Sequence, residues 1–539
     1  MQWYSPGQRL RPHWEADGER KNIQNMLPEQ VFSIWKQKIT KSDCYSFFTV
    51  VIVGLLTHMR VFVSDIPNHD GMSSIYFDQN MITSGRWFLR VACGISSDYT
   101  LPWLIGVLCV LYLGLTAVLL QRFFRVKHTF TAMLLGAVLV TYPTLASNFA
   151  YIFTADGYMM ALLLAVFAVF LVERSKLGFL WGAVALGFSM GIYQAYISFT
   201  MILAVFAVCR GWFFGSAFKE KLQITWRYIA MGGLGAALYY VMLQILLLVQ
   251  KTELSGYQGI GEGNSNSLLQ TLVLIYKDFV VHTLRGNIMM QEGVHAFAII
   301  ILVAVAALVL LVALYRAGSL KSIWTYLAAG VAVVVLPVCF NAILLISPDV
   351  IYHALMRYQW VLIPMFALVI LDRHLEVGNP ARMQAVISWA GIGLAAVIAF
   401  RYTTICNIGY FNLEKKFEKT YSYCLRLLEQ MEETPGYYHG MPVAMIGVVG
   451  DHYLPSTDLT VGVTDSLIGV NGDYLFYTAE NYKAFIAYYF GVNIETVPLE
   501  DMVDIIQTPE YKELSVFPKE NSMKVVDGIL YIRTENEGD

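Results

Sequence analysis

Carboxylates, guanidinium groups and tyrosines gather at the ends of apolar runs in this chain, where a side chain can meet lipid on one side and water on the other. Asp65 and Asp70 occupy Ser64-Asp65-Ile66-Pro67-Asn68-His69-Asp70-Gly71, and Arg86 follows sixteen residues after Asp70 in Thr83-Ser84-Gly85-Arg86-Trp87-Phe88. Asp156 stands in Thr154-Ala155-Asp156-Gly157-Tyr158 at the start of one apolar run; Asp349, Tyr352, His353, Arg357 and Tyr358 precede another. A carboxylate near a cation suits transfer of a group from a phosphate. The carboxylate takes the proton of an attacking hydroxyl, and the positive charge stabilises the phosphate that leaves.

Each of these residues also has a plainer use. Asp70-Gly71 is a favoured turn, and Arg86 can face solvent or lipid phosphate. Thr154 and Asp156 suit a helix N-cap, worth about 1 kcal/mol. Tyr193, Gln194 and Tyr196 in Gly191-Ile192-Tyr193-Gln194-Ala195-Tyr196 suit interfacial anchoring or sugar stacking. Arg357 stands against the inside-positive bias and calls for an anion, either lipid phosphate or a protein carboxylate. The acidic residues could hold a divalent cation such as magnesium or manganese, although no spacing demands one.

The elements that position these residues follow from composition. Of 539 residues, 57% are hydrophobic and only 14% charged, well below the roughly one quarter charged in soluble chains. A net charge of -3 without a basic cluster argues against nucleic acid. The seven cysteines form no CxxC pair and read as packing residues. Apolar runs able to cross roughly 30 Å of hydrocarbon fall near 45–63, 101–121, 129–147, 157–172, 178–192, 195–209, 228–250, 296–315, 325–346, 358–371 and 384–401. The expected fold is a polytopic α-helical membrane protein of about eleven transmembrane helices, with 178–192 and 195–209 as a tight hairpin.

With the N-terminus inside, the inner segments collect Lys36, Lys38, Lys41, Arg122, Arg125, Lys127, Arg174, Arg210, Arg227, Arg316 and Arg373, and an odd count places 402–539 outside. Residues 1–44 are polar and no cleavable leader is expected there, and Leu27, Val31, Phe32, Trp35 and Ile39 share one face, as expected of a helix lying on the inner leaflet. Residues 45–401 are the membrane body. Residues 402–539 read as a small extracytoplasmic α+β domain: an amphipathic helix near 410–432, a β-type run at 443–449, and a hairpin turning at Asp527-Gly528. The run Gly256–Gly263 reads as a flexible outer loop rather than a phosphate-binding loop, since no strand precedes it.

Taken in order, Asn68-His69-Asp70-Gly71, Ser84-Gly85-Arg86-Trp87, Pro102-Trp103, Tyr142-Pro143, Thr154-Ala155-Asp156-Gly157-Tyr158 and Gly191-Ile192-Tyr193-Gln194-Ala195-Tyr196 resemble the polytopic glucosyltransferases of the type II serotype-converting family, which decorate bacterial O-antigen and other surface polysaccharides. The resemblance covers most of the membrane region. It implies a GT-C-like fold in the bacterial inner membrane, a polyprenyl-phosphate sugar donor, glucose as the sugar, and a surface polysaccharide or lipid-linked glycan as acceptor. On that pattern Asp70 is the leading catalytic base, Asp65 its substitute, and Asp156 a site residue. Arg86 and Arg357 would hold the phosphate, with Tyr158, Tyr193, Gln194, Tyr196, His353 and Tyr358 around the substrate. Direct displacement would invert the anomeric carbon. Two rivals remain: a polysaccharide polymerase or ligase, and a lipid-oligosaccharide flippase, which should show charged or broken helices near the midplane.

Overall fold

The computed structural model describes residues 27–68, 70–71, 79–94, 99–215, 217–255, 267–285, 294–347, 350–374, 382–446, 461–472 and 479–534. His69, Asp349, residues 256–263 and residues 447–449 lie outside the described residues. The amphipathic segment forms α1 (Pro28–Lys38), which buries none of its side chains and leaves Leu27, Phe32, Trp35 and Ile39 exposed. Thr40 then caps α2 (Lys41–Phe62) in a capping box with Asp43. The chain continues through α3 (Leu89–Ala92), α4 (Pro102–Phe124), α5 (Thr129–Thr141), α6 (Thr144–Ala150), α7 (Ile152–Arg174), α8 (Gly178–Ile192), α9 (Ile197–Phe214) and α10 (Phe218–Gln250). It goes on through α11 (Leu268–Arg285), α12 (Val294–Arg316), α13 (Ile323–Phe340), α14 (Ile343–Ile346), α15 (Leu362–His374) and α16 (Arg382–Glu433). Helix α2 packs on α4 and α5, α7 on α4 and α8, and α8 on α10, so one buried cluster runs through the membrane body.

All eleven apolar runs are helical. Eight helices among the described residues are long and apolar enough to cross a membrane, or up to nine if the bent pair α5–α6 is one span. Helix α8, at 15 residues, and α15, at 13, reach only roughly 20 Å each. Helices α5 and α6 meet at 51°, because Pro143 cannot supply the N–H that a continuous helix needs there. A broken helix is therefore present, which the apolarity of the run 129–147 concealed.

Ion pairs identify one end of this body. Asp43 accepts from Arg122 Nε at 2.9 Å and from Gln121 at 2.7 Å, tying the start of α2 to the end of α4. Glu173 pairs with Arg125 and Arg210, and Asp372 accepts from the His128 backbone N–H at 3.1 Å. The basic residues assigned to the inner side thus cluster at a common end. Since α2, α4, α7 and α15 all have a terminus there, their other termini, with Arg86, Asp156 and Arg357, lie at the opposite end. Near the far ends of α2 and α5, His58 bridges Tyr410 at 2.6 Å and the Val140 carbonyl at 2.7 Å, fastening α2, α5 and α16 together.

Helix α16 runs 52 residues without interruption, roughly 78 Å. The expected boundary at 401/402 falls inside it, and it carries the chain out of the body at the Arg357 end. Beyond it come β1 (Val443–Ile446), α17 (Val461–Thr464), α18 (Ala479–Phe490), α19 (Leu499–Gln507), α20 (Pro509–Lys512), β2 (Met523–Val526) and β3 (Ile529–Arg533). Strands β2 and β3 form the antiparallel hairpin expected of Asp527-Gly528, whose φ values of 49° and 78° are the left-handed ones such a turn requires. Strand β1 joins β3 in parallel, giving the order β1-β3-β2. Two apolar cores flank the sheet, one built with the distal turns of α16 and one with α19 and α20.

Candidate active site

Arg86 is aimed by its own turn. A 3-10 turn over Ile82–Ser84 ends at Gly85, whose φ of 76° few other residues adopt, and the Arg86 N–H closes on the Met81 carbonyl at 3.0 Å. A Cβ at Gly85 would fall 2.6 Å from both Gln194 Nε2 and Tyr239 Oη. Gln194 uses that space, donating to the Ser84 carbonyl at 3.1 Å and to Tyr239 at 3.2 Å, so its amide straps the turn to the α8–α9 junction. Arg86 donates to the Tyr158 hydroxyl at 3.1 Å and lies 5.4 Å from the Tyr193 ring centre. The rings of Tyr158 and Tyr193 stack at 4.1 Å, with Tyr196 edge-on to Tyr193 at 5.5 Å. Sequence-singled residues from three segments therefore form one aromatic, cationic corner.

Four residues join α8 to α9. Tyr193 is extended, one 3-10 turn spans Gln194–Tyr196, and α9 follows. Gly191 permits this approach: its carbonyl accepts from Phe88 N at 2.7 Å, and a Cβ there would strike the Trp87 ring at 2.5 Å.

Asp156 does not cap a helix. Helix α7 begins at Ile152, one turn earlier, and Asp156 is fully enclosed, 1% exposed, accepting from the Gly157 N–H at 2.9 Å and hydrogen-bonded to the Cys93 thiol. The two loop carboxylates have different surroundings. Asp65 receives the Tyr488 hydroxyl on its carboxylate at 3.1 Å and the Tyr489 hydroxyl on its carbonyl at 2.9 Å, which binds the first loop to α18. Asp70 is exposed on a turn held by buried Asn68, whose Oδ1 accepts from the N–H groups of Asp70 at 3.1 Å and Gly71 at 2.8 Å.

A cavity of about 510 Å³ opens where the membrane body meets the chain beyond α16. Arg357 lies in its wall, 8% exposed. Asp278 of α11 grips the guanidinium with two bonds of 2.7 and 2.8 Å, the Tyr352 carbonyl takes Nε–H at 3.2 Å, and the Tyr352 ring underlies it at 3.7 Å. The anion that Arg357 called for is thus a protein carboxylate. His353 and His282 share the wall, and burial together with the nearby Arg357 holds the His282 imidazole down at about 3, so the ring is neutral near pH 7. Tyr358 turns the other way, donating to the Leu139 carbonyl at 2.6 Å within the core. Its ring lies 6.5 Å from that of Tyr196, so the Arg86 corner and the cavity are neighbours. Asn68, which holds the Asp70 turn, sits against Gly469 of the cavity wall.

Several wall residues escaped the sequence reading. Asp278 and His282 stand four apart on α11, a spacing that puts them on one face of the helix, and that signal was available. Lys416, Asp465, Ser466 and Asn471 had none, because their neighbours are far away in sequence. No group of three or more His, Cys, Asp or Glu converges among the described residues. A family model described as Glucosyl transferase GtrII matches residues 60–371, more than half of the chain. No curated protein and no solved structure matches.

Proposed function

Because the chain belongs to the glucosyl transferase GtrII family and is a membrane glycosyltransferase, we propose that it moves one glucose from a polyprenyl-phosphate donor to a surface polysaccharide or lipid-linked glycan, at the cavity beside Arg357. In this reading the Asp70 carboxylate takes the proton of the acceptor hydroxyl. The hydroxyl oxygen bonds to the anomeric carbon as the bond from that carbon to the phosphate oxygen breaks. The electron pair leaves on the phosphate, whose charge Arg357 stabilises, and the configuration inverts. Arg86, with the stacked Tyr158 and Tyr193, forms the neighbouring surface on which a sugar ring can stack. Asp65 serves as an anchor to α18 rather than as the base.

The observation that carries the reading is a guanidinium held rigid by Asp278 in the wall of a cavity of about 510 Å³, within the roughly 300–1,000 Å³ of small-molecule sites. This site lies at one end of the membrane body, which in this reading puts it within reach of a lipid headgroup. A lipid-linked donor and an outward-facing site belong together, since nucleotide sugars are made inside the cell. The break between α5 and α6 carries Tyr142 and Pro143 and no charge, which favours a structural bend over an ion path of the transporter kind.

The test is turnover of undecaprenyl-phosphate-glucose by the purified full-length protein. Asp70→Asn should slow transfer at least about 100-fold while leaving the thermal unfolding midpoint unchanged, because it removes a proton acceptor and little volume. Near-normal turnover in that variant would reject Asp70 as the base.

A further inference from the structure

The cavity wall has two sources. His282, His353 and Arg357 belong to the stretch that the family model matches, whereas Lys416, Asp465 and Asn471 come from beyond it. The pocket is incomplete without the C-terminal part of the chain.

The second wall is fixed to the membrane body rather than to the cores around the sheet. Leu467 and Val470 are fully buried in the main membrane cluster. Thr464 accepts from Asn412 of α16 at 2.9 Å, and Val470 fills the space beside Gly409, where a Cβ would meet it at 2.9 Å. Gly469, with φ of 89°, presses against α6 so closely that a Cβ would lie 2.8 Å from Ala150. Segment 464–471 is therefore clamped between α16 and α6, and its polar side chains are held in a set position at the cavity.

Those side chains have hydrogen-bonding capacity to spare. Ser466 Oγ is buried with no partner, as is His282 Nε2 on the α11 wall. Asp465 is exposed and supplies an acceptor-only carboxylate, and Asn471 both donates and accepts. A carboxylate, an amide, a hydroxyl and a neutral imidazole match the hydroxyls of a hexopyranose, each of which donates and accepts. The charges also sort the two substrates. Arg357 presents a guanidinium to a donor phosphate, whereas the other wall presents the exposed Asp465 carboxylate with Lys416 only 3% exposed, and so suits an uncharged, hydroxyl-rich partner.

We infer that segment 464–471 reads the acceptor: Asp465, Ser466 and Asn471 hydrogen-bond hydroxyls of a neutral hexose-containing glycan while the Arg357 side holds the donor phosphate. The assignment of donor and acceptor sides rests on the transferase reading above; the glycan contact does not.

The experiment uses the full-length protein in nanodiscs, with Asp465→Asn and Asn471→Ala compared with wild type and with Asp465→Glu as the conservative control. Affinity for undecaprenyl-phosphate-glucose is read by tryptophan fluorescence. Affinity for methyl α-D-glucopyranoside, methyl α-D-galactopyranoside and methyl α-L-rhamnopyranoside is read by saturation-transfer NMR. Asp465→Asn should weaken at least one glycoside about tenfold, the loss of one hydrogen bond to a charged group, with donor Kd within about twofold and partial recovery in Asp465→Glu. Equal weakening of donor and glycoside, unchanged glycoside affinity, or no glycoside binding by wild type would each overturn the inference. Glycoside binding that depends on Asp465 without any transfer from the donor would leave the inference standing and sink the transferase reading. Transfer with a glycoside affinity indifferent to Asp465 would do the reverse.

Discussion

At the residue scale, Arg357 matters for what surrounds it. A guanidinium 8% exposed would be prohibitively placed without Asp278, and with it becomes a rigid donor whose orientation is set by two parallel bonds and by the Tyr352 face. Asp278 is thus a positioning residue. Asp278→Asn should weaken donor binding about tenfold, and a cycle with Arg357→Gln should show coupling of about 1 kcal/mol or more, since the two side chains act as one unit. Additive losses in that cycle, read from donor Kd, would count against the pairing as the source of the effect. The sequence made Arg357 conspicuous because a cation at that end departs from the charge bias. It left both anions open, since the choice between lipid phosphate and protein carboxylate depends on whether another helix brings an acid within about 3 Å. Asp156 shows the converse: its motif reads as a cap on residue chemistry and as a site residue on the resemblance, and only the start of α7 at Ile152 removes the cap.

At the scale of elements, the site is assembled by close approaches that glycines allow. Gly85 and Gly191 bring the Arg86 turn against the α8–α9 junction, and Gly469 brings the acceptor-side segment against α6. Gly469→Ala adds both left-handed strain and a clash with Ala150, so it should destabilise the protein by more than the roughly 1–2 kcal/mol of backbone strain alone. Gly491→Ala supplies the comparison, because Gly491 has φ of 69° and nothing within 4 Å of a Cβ. Thermal unfolding in detergent should show the larger loss for Gly469→Ala, together with weaker glycoside binding; equal losses would remove the clamp from the argument. Apolar length predicted each helix because burial of backbone polar groups in lipid forces helical pairing within the segment. It did not reveal the bend between α5 and α6 or the shortness of α8 and α15, because those features are set by geometry rather than by composition.

At the scale of the whole molecule, basic residues collect at one end, and the cavity, the Arg86 corner and the sheet collect at the other. This arrangement supports a cytoplasmic N-terminus and an extracytoplasmic C-terminal region. Labelling exposed Lys524 as Lys524→Cys in intact cells with a membrane-impermeant maleimide should succeed without permeabilisation; labelling only after permeabilisation would invert the topology and the placement of the site. By itself the sequence determined the helical membrane class, the family resemblance, the Asp527-Gly528 hairpin and the residues of the Arg86 corner. Those features are written in hydropathy, in turn chemistry and in short motifs, all of them local. The partner of Arg357, the two-source cavity and the different surroundings of Asp65 and Asp70 were decided by tertiary structure. Each depends on contacts between residues up to some four hundred positions apart, such as Tyr488 with Asp65, and only the packing of α11, α16 and segment 464–471 onto the membrane body brings such residues together.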